Sequence, residues 1–182
     1  MRNLVKIVMV VMLASGLSSC EKIKSIFDVE FDTTLSGEMD VVIQDDVMKS
    51  TNEYEFQTST LIDPLDDEDI DEYVDNIKDF AVNLVEAEVM FVSKENIIFK
   101  AGTSFSVYDA NDMVSWTLGS DWLVTEGTLV TLEDISEVYD AVADILAKKK
   151  PFSISVNGTS SEKGIFVTIG MNIETMVTAN PL

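Results

Sequence analysis

The 182-residue chain carries 33 Asp and Glu against 12 Lys and Arg, a formal net charge of minus 21, with no His, one Cys and 46% hydrophobic residues. The apolar content separates it from acidic disordered tails, and the length suffices for one domain with a buried interior. The charge argues against nucleic acid or an anionic lipid surface as partner, since both recruit proteins through Lys and Arg.

In chain order, the first segment begins Met1-Arg2-Asn3-Leu4-Val5-Lys6 and runs apolar from Ile7 to Leu17 before Ser18-Ser19-Cys20. A basic start and an apolar stretch shorter than the ~20 residues of a membrane span fit a secretory signal. The junction Leu17-Ser18-Ser19-Cys20 resembles the lipobox of bacterial lipoproteins. That resemblance implies cleavage before Cys20, a diacylglycerol on its thiol, and anchoring by several acyl chains. Residues 1–19 are then a cleaved signal peptide and 20–26 a lipidated tether. Losing Arg2 and Lys6 from the 12 cations leaves ten Lys against 33 acids, or minus 23. The resemblance further implies the outer membrane, because Glu21 stands where an Asp is associated with inner-membrane retention of such lipoproteins, and it leaves the leaflet open.

Residues 27–182 read as a single β-rich domain. Phe27, Val29, Phe31, Thr33 and Leu35 alternate with polar residues as in a half-buried strand, and Ser36-Gly37-Glu38 is expected to turn the chain into a second strand, Met39–Ile43. Tyr54–Thr60 alternates likewise. Phe80, Val82 and Leu84 share a phase that slips to Val85, Ala87, Val89 and Phe91, which predicts a β-bulge near Leu84-Val85. Strands follow at Ile97–Lys100, Thr103–Tyr108, Met113–Leu118, Trp122–Leu132, Phe152–Val156 and Gly164–Val177. Turn residues separate them at Lys94-Glu95-Asn96, Asp109–Asp112, Gly119-Ser120-Asp121 and from Asn157-Gly158 to Lys163-Gly164. Closely spaced strands of this kind predict an antiparallel β-sandwich or curved sheet.

Two segments carry helical spacing instead. Residues 66–78 put Ile70, Tyr73, Val74 and Ile77 on one stripe, with Asp66 and Asp67 as caps. Residues 132–149 align Ile135, Val138, Tyr139, Val142, Ile145 and Leu146, with Thr131 as cap, Lys148-Lys149-Lys150 at the carboxyl end and Pro151 as the stop. Both are expected as short amphipathic helices.

The chemistry available is narrow. Without His and with a single Cys, Ser-His-Asp and Cys-His catalysis, His-ligated zinc and disulfides are all excluded. No Gly-rich phosphate loop occurs. Carboxylate pairs at glycosidase separation arise by chance among 33 acids, so the chain is expected to be non-catalytic. The densest acidic run, Asp63 to Asp75, offers calcium the oxygens of Asp63, Asp66, Asp67, Asp69 and Asp71, but Glu72 and Lys78 break the EF-hand pattern, and a helix cap with a solvated face, or weak screening by divalent ions, accounts for the same residues. Trp116 and Trp122, on adjacent expected strands, can offer stacking faces to a glycan or, more simply, fill the core. Asp109-Ala110-Asn111-Asp112 is a second oxygen-rich turn, read more simply as an Asx turn.

The expected function is that of a lipid-anchored cell-envelope lipoprotein serving as a non-catalytic interaction module, with an envelope protein or a glycan as partner and no nucleic acid. Two alternatives remain. One is a periplasm-facing carrier holding a lipid or hydrophobic ligand under a helical lid at residues 132–149; the other is a calcium-dependent carbohydrate-binding domain.

Overall fold

The computed structural model describes residues 28–44, 53–135 and 137–180. The signal segment, Cys20 and the 20–26 tether lie outside these residues. The described chain folds as two antiparallel sheets with the order β1(Val29–Ile43), β2(Tyr54–Ile62), α1(Glu68–Tyr73), β3(Ile77–Val92), β4(Ile97–Phe99), β5(Ser104–Tyr108), β6(Met113–Thr117), β7(Trp122–Val124), β8(Leu129–Thr131), α2(Val138–Leu146), β9(Phe152–Ser160) and β10(Ile165–Ala179). One sheet runs β1-β10-β3-β8. The other runs β6-β5-β9-β4-β7, with β2 on the remaining side of β9. The expected mainly β, antiparallel architecture is therefore what forms.

β10 is the spine of the first sheet, because its odd-numbered residues from Ile165 to Ala179 are buried without a break and both its edges are paired. Strict alternation of this kind fixes register, since a one-residue slip would turn every apolar side chain to water. Val167, Ile169, Met171 and Ile173 share one core with Phe99, Phe105, Ile154 and Val156 of the second sheet.

The sheet departs from the expected strands in three informative places. β1 is continuous, and Ser36-Gly37-Glu38 is no turn. A Cβ at Gly37 would stand 2.9 Å from Ile154 Cδ1 and 3.0 Å from Thr60 Cγ2, so the glycine serves close packing between the sheets. The expected bulge in β3 exists, with Asn83 as the extra residue between Val82 and Leu84. A second bulge at Met90 reverses the phase again and turns Phe91 outward, against the expectation that it continues the interior series. The expected strand Trp122–Leu132 is two strands in different sheets, because Gly127 at φ 78° lets the chain turn between them. Asn157-Gly158 is likewise no turn; β9 continues to Ser160 before the chain reverses.

Both helices are shorter than their periodicity predicts. Pro64–Asp66 forms a 3₁₀ turn capped by Asp63, and Asp67, not Asp66, caps α1 through a 3.0 Å bond from the Ile70 N–H. The stripe at Ile77 belongs to β3. Thr131 lies in β8, and α2 begins only after Glu137, whose left-handed φ of 63° ends the preceding loop. Val142, Ile145 and Leu146 drop from α2 into the core beside β3. The Tyr139 hydroxyl donates to the Leu132 carbonyl at 2.8 Å and accepts from the Val85 N–H at 3.2 Å, which clamps the helix to the β3 edge. Burial raises the Tyr139 pKa, so the phenol stays a donor.

Candidate functional site

Asp63, Asp66 and Asp67 line one surface groove of about 330 Å³ with Thr34 and Ser36, while Asp69 and Asp71 stand exposed on α1. The oxygens that calcium needs are partly committed: Asp63 accepts from the Leu65 N–H at 3.0 Å, and Asp67 accepts from both Ile70 and the Thr33 hydroxyl. No group of three or more acids converges in a metal-holding arrangement among the described residues. Capping of two successive helical turns accounts for this sequence.

Neither tryptophan offers a sugar platform. Trp116 is 7% and Trp122 8% exposed, and their strands are not neighbours. Trp122 packs edge-on against Phe99 and Phe105, while Trp116 donates its indole N–H to the Glu133 carbonyl at 3.1 Å. The sequence showed aromatic residues on strands but not which face they take, and the core took both.

The expected Asx turn at Asp109 is present: its Oδ1 accepts from the N–H groups of Asn111 and Asp112 at 2.7 and 2.8 Å. Lys148, beyond α2, joins both Asp109 and Asp112, and Lys149 donates to the Val74 and Ile77 carbonyls. Two of the three expected basic residues are therefore internal ties. The Lys148 bond, followed by the two backbone N–H groups, lowers the Asp109 pKa to about 2. A carboxyl depressed in the folded state stabilises above its unfolded value and loses that contribution as pH falls through the folded one. Thermal unfolding from pH 5 to pH 2 is accordingly expected to show a loss of Tm in the wild type that is smaller in Asp109→Asn; equal losses would contradict the tie.

The outer face of the β1-β10-β3 sheet is the most distinctive surface. Its register places Glu30, Asp32, Glu38 and Asp40 of β1, Glu174 of β10 and Glu86 and Glu88 of β3 on one side. β1 and β10 contain no Lys or Arg, and in β3 the single cation, Lys78, is paired with Asp28 at 2.5 Å. At one pole this acidic face gives way to Val42, Met90, Phe91 and Phe166, all exposed. Val42 lies opposite Phe166, whose ring centroid is 5.9 Å from that of Phe91. Beside them Gly170 sits between Glu38 and Glu88, its register partners on either strand, with the Met90 thioether over it. A groove of about 290 Å³ opens there, lined by Ser36, Glu38, Glu88, Met90 and Asn172. The sequence carried half of this signal, since Val42 and Phe166 fall out of phase with buried neighbours. Phe91 was hidden by the Met90 bulge.

A further groove of about 370 Å³ lies at the start of α2, between Trp116, Leu118, Leu132, Ile135 and Val138.

No family model matches the chain, and no curated protein is similar to it in sequence. Among solved structures it is similar to the BFDV capsid protein in its decameric form, with a TM-score of 0.44 and 10% identity over 82% of this chain and 99% of that one. It is also similar to the turnip yellow mosaic virus structure, with a TM-score of 0.31 and 5% identity over 85% and 96%. Likeness at this level assigns no function.

Proposed function

We propose that the chain is a lipid-anchored lipoprotein of the cell envelope, most simply of the outer membrane, whose domain is a non-catalytic interaction module. The observation that carries this reading is the exposed Val42-Met90-Phe91-Phe166 patch on an otherwise acidic sheet face. Adjoining exposed apolar side chains rimmed by charge are characteristic of interaction surfaces. Their position fits an anchored protein. β1 begins at Val29, eight residues after Glu21, and Val42 lies thirteen residues further on. At roughly 3.3 Å per residue the patch stands about 43 Å from the tethered end. A patch held there serves a partner beyond the bilayer better than the bilayer itself.

The test is co-purification of the full chain from membranes in neutral detergent, comparing wild type with Phe91→Ser/Phe166→Ser. A partner recovered with wild type and lost in the variant at unchanged Tm is the expected result; identical recovery would contradict the assignment of this face.

A carrier of a small apolar ligand is the second reading, favoured by the groove beside Trp116 and by the exposure of Ile135 within it. It would bind at the mouth of α2 and not beneath the helix, where Val142, Ile145 and Leu146 fill the space.

A further inference from the structure

Two grooves share one residue. Ser36 lines both the groove at Asp63, Asp66 and Asp67 and the groove at Glu38, Glu88 and Gly170. Taken as one track through Ser36, they run from the turn before α1 to the notch over Gly170 and Met90. Five carboxylates line it, and none of the residues lining either groove is a Lys or Arg.

We propose, resting on the interaction-module reading, that this track docks an extended, cationic segment of a partner protein. One Lys or Arg would enter the notch between Glu38 and Glu88, and an adjoining apolar residue would seat on Phe91 and Phe166. The geometry is suited to a side-chain cation. Glu38 and Glu88 pair with Gly170 from opposite sides, so with strands ~4.8 Å apart their backbones are roughly 10 Å apart. Gly170 leaves the floor between them without a side chain of its own. The Met90 thioether gives an apolar surface along which the methylene stem of a Lys or Arg can lie while its charge reaches the carboxylates.

Charge complementarity decides the class of occupant. A second copy would bring the same acidic face and the same net charge to the contact, and like charges juxtaposed across an interface repel. Nucleic acid and anionic lipid are repelled for the same reason. A basic polypeptide gains both from local pairing and from steering by the field of the whole chain.

The test uses the full chain in neutral detergent and a fluorescein-labelled, end-capped decapeptide alternating Lys and Leu, followed by anisotropy. Controls are the same peptide with Glu for Lys and one with Ser for Leu. The expected result is saturable binding of the Lys-Leu peptide only, weakened as salt rises. Neutralising the track by Glu38→Gln/Glu88→Gln/Asp66→Asn should weaken it about tenfold, from three partly exposed charge contacts acting together. Removing three acids elsewhere, by Glu126→Gln/Asp140→Asn/Asp144→Asn, should change it by less than about twofold, since remote charges are screened. Equal weakening by both triple variants would overturn the track in favour of general attraction to a polyanion. Absence of peptide binding, while co-purification still depends on Phe91 and Phe166, would overturn the cationic segment and leave the interaction module standing. Loss of both dependences would overturn both.

Discussion

Cys20→Ser, made in a chain whose residues 1–19 are replaced by a signal peptide cleaved independently of lipidation, is expected to move the protein from the membrane fraction to the soluble fraction almost completely. The thiol is the only one in the chain, so a thioether-linked lipid has no other attachment point. No helix among the described residues is long and apolar enough to cross a membrane. The surface charge gives no substitute, because a chain of formal charge minus 21 is repelled by anionic headgroups. Acyl chains contribute about 0.8 kcal/mol per buried methylene, and two or more make the attachment effectively stable. Serine cannot form the thioether, so the whole of that contribution is lost. Fractionation in high salt and at alkaline pH separates a lipid anchor from adherence. Unchanged partition of the variant into membranes would contradict the lipobox assignment.

Phe99→Ala is expected to be among the most damaging single truncations in the second sheet. The ring is fully buried, 4.4 Å from Phe56 and 5.9 Å from Trp122 between centroids. It also sits where short strands depend on it. β4 has three residues, pairs with β7 on one side, and meets β9 through Phe99 opposite Ser160. A cavity at that junction removes packing from strands that have few hydrogen bonds of their own. The expected loss is about 3–5 kcal/mol. That is a large share of the roughly 5–15 kcal/mol available to a domain. Urea unfolding followed by tryptophan fluorescence measures it, with Phe91→Ala as comparison. Phe91 is 46% exposed, and its truncation should cost no more than about 0.5 kcal/mol. Similar losses for the two would contradict the placement of the two rings.

That contrast between Phe91 and Phe99 marks what the sequence could and could not reveal. Period-two alternation in β10 and β2 and the antiparallel architecture were legible, because one buried face imposes its pattern directly. The phase slip in β3 was legible as a bulge within a residue of Asn83. The second bulge at Met90 was not, since a bulge next to a run of apolar residues leaves no gap in the pattern. Gly37 reads in sequence as a turn because glycine has two uses, and only the opposing sheet shows that here it serves close packing. The helical stripes overrun the helices for a related reason: Ile77 and Ile135 continue the spacing in sequence but belong to a strand and a loop.

The candidate site was less visible than the fold. Asp63 to Asp71 and the two tryptophans stood out by residue type, yet caps and core account for most of them. The acidic face with its apolar pole emerges only when Asp40, Glu38, Glu88 and Phe91 are brought into register by β10. Those residues are far apart in sequence and ordinary in type. Nothing local distinguishes them from any solvated strand face.

The most direct measurement is site-specific photo-cross-linking in intact cells, with the cross-linker placed at Phe91 or Phe166 on the patch and at the exposed Gln57 of β2 on the opposite sheet. Discrete, reproducible adducts from the two patch positions, and none from position 57, are the predicted result. Adducts from position 57 alone, or none from Phe91 and Phe166 in a correctly anchored protein, would contradict the assignment of the β1-β10-β3 face as the docking surface.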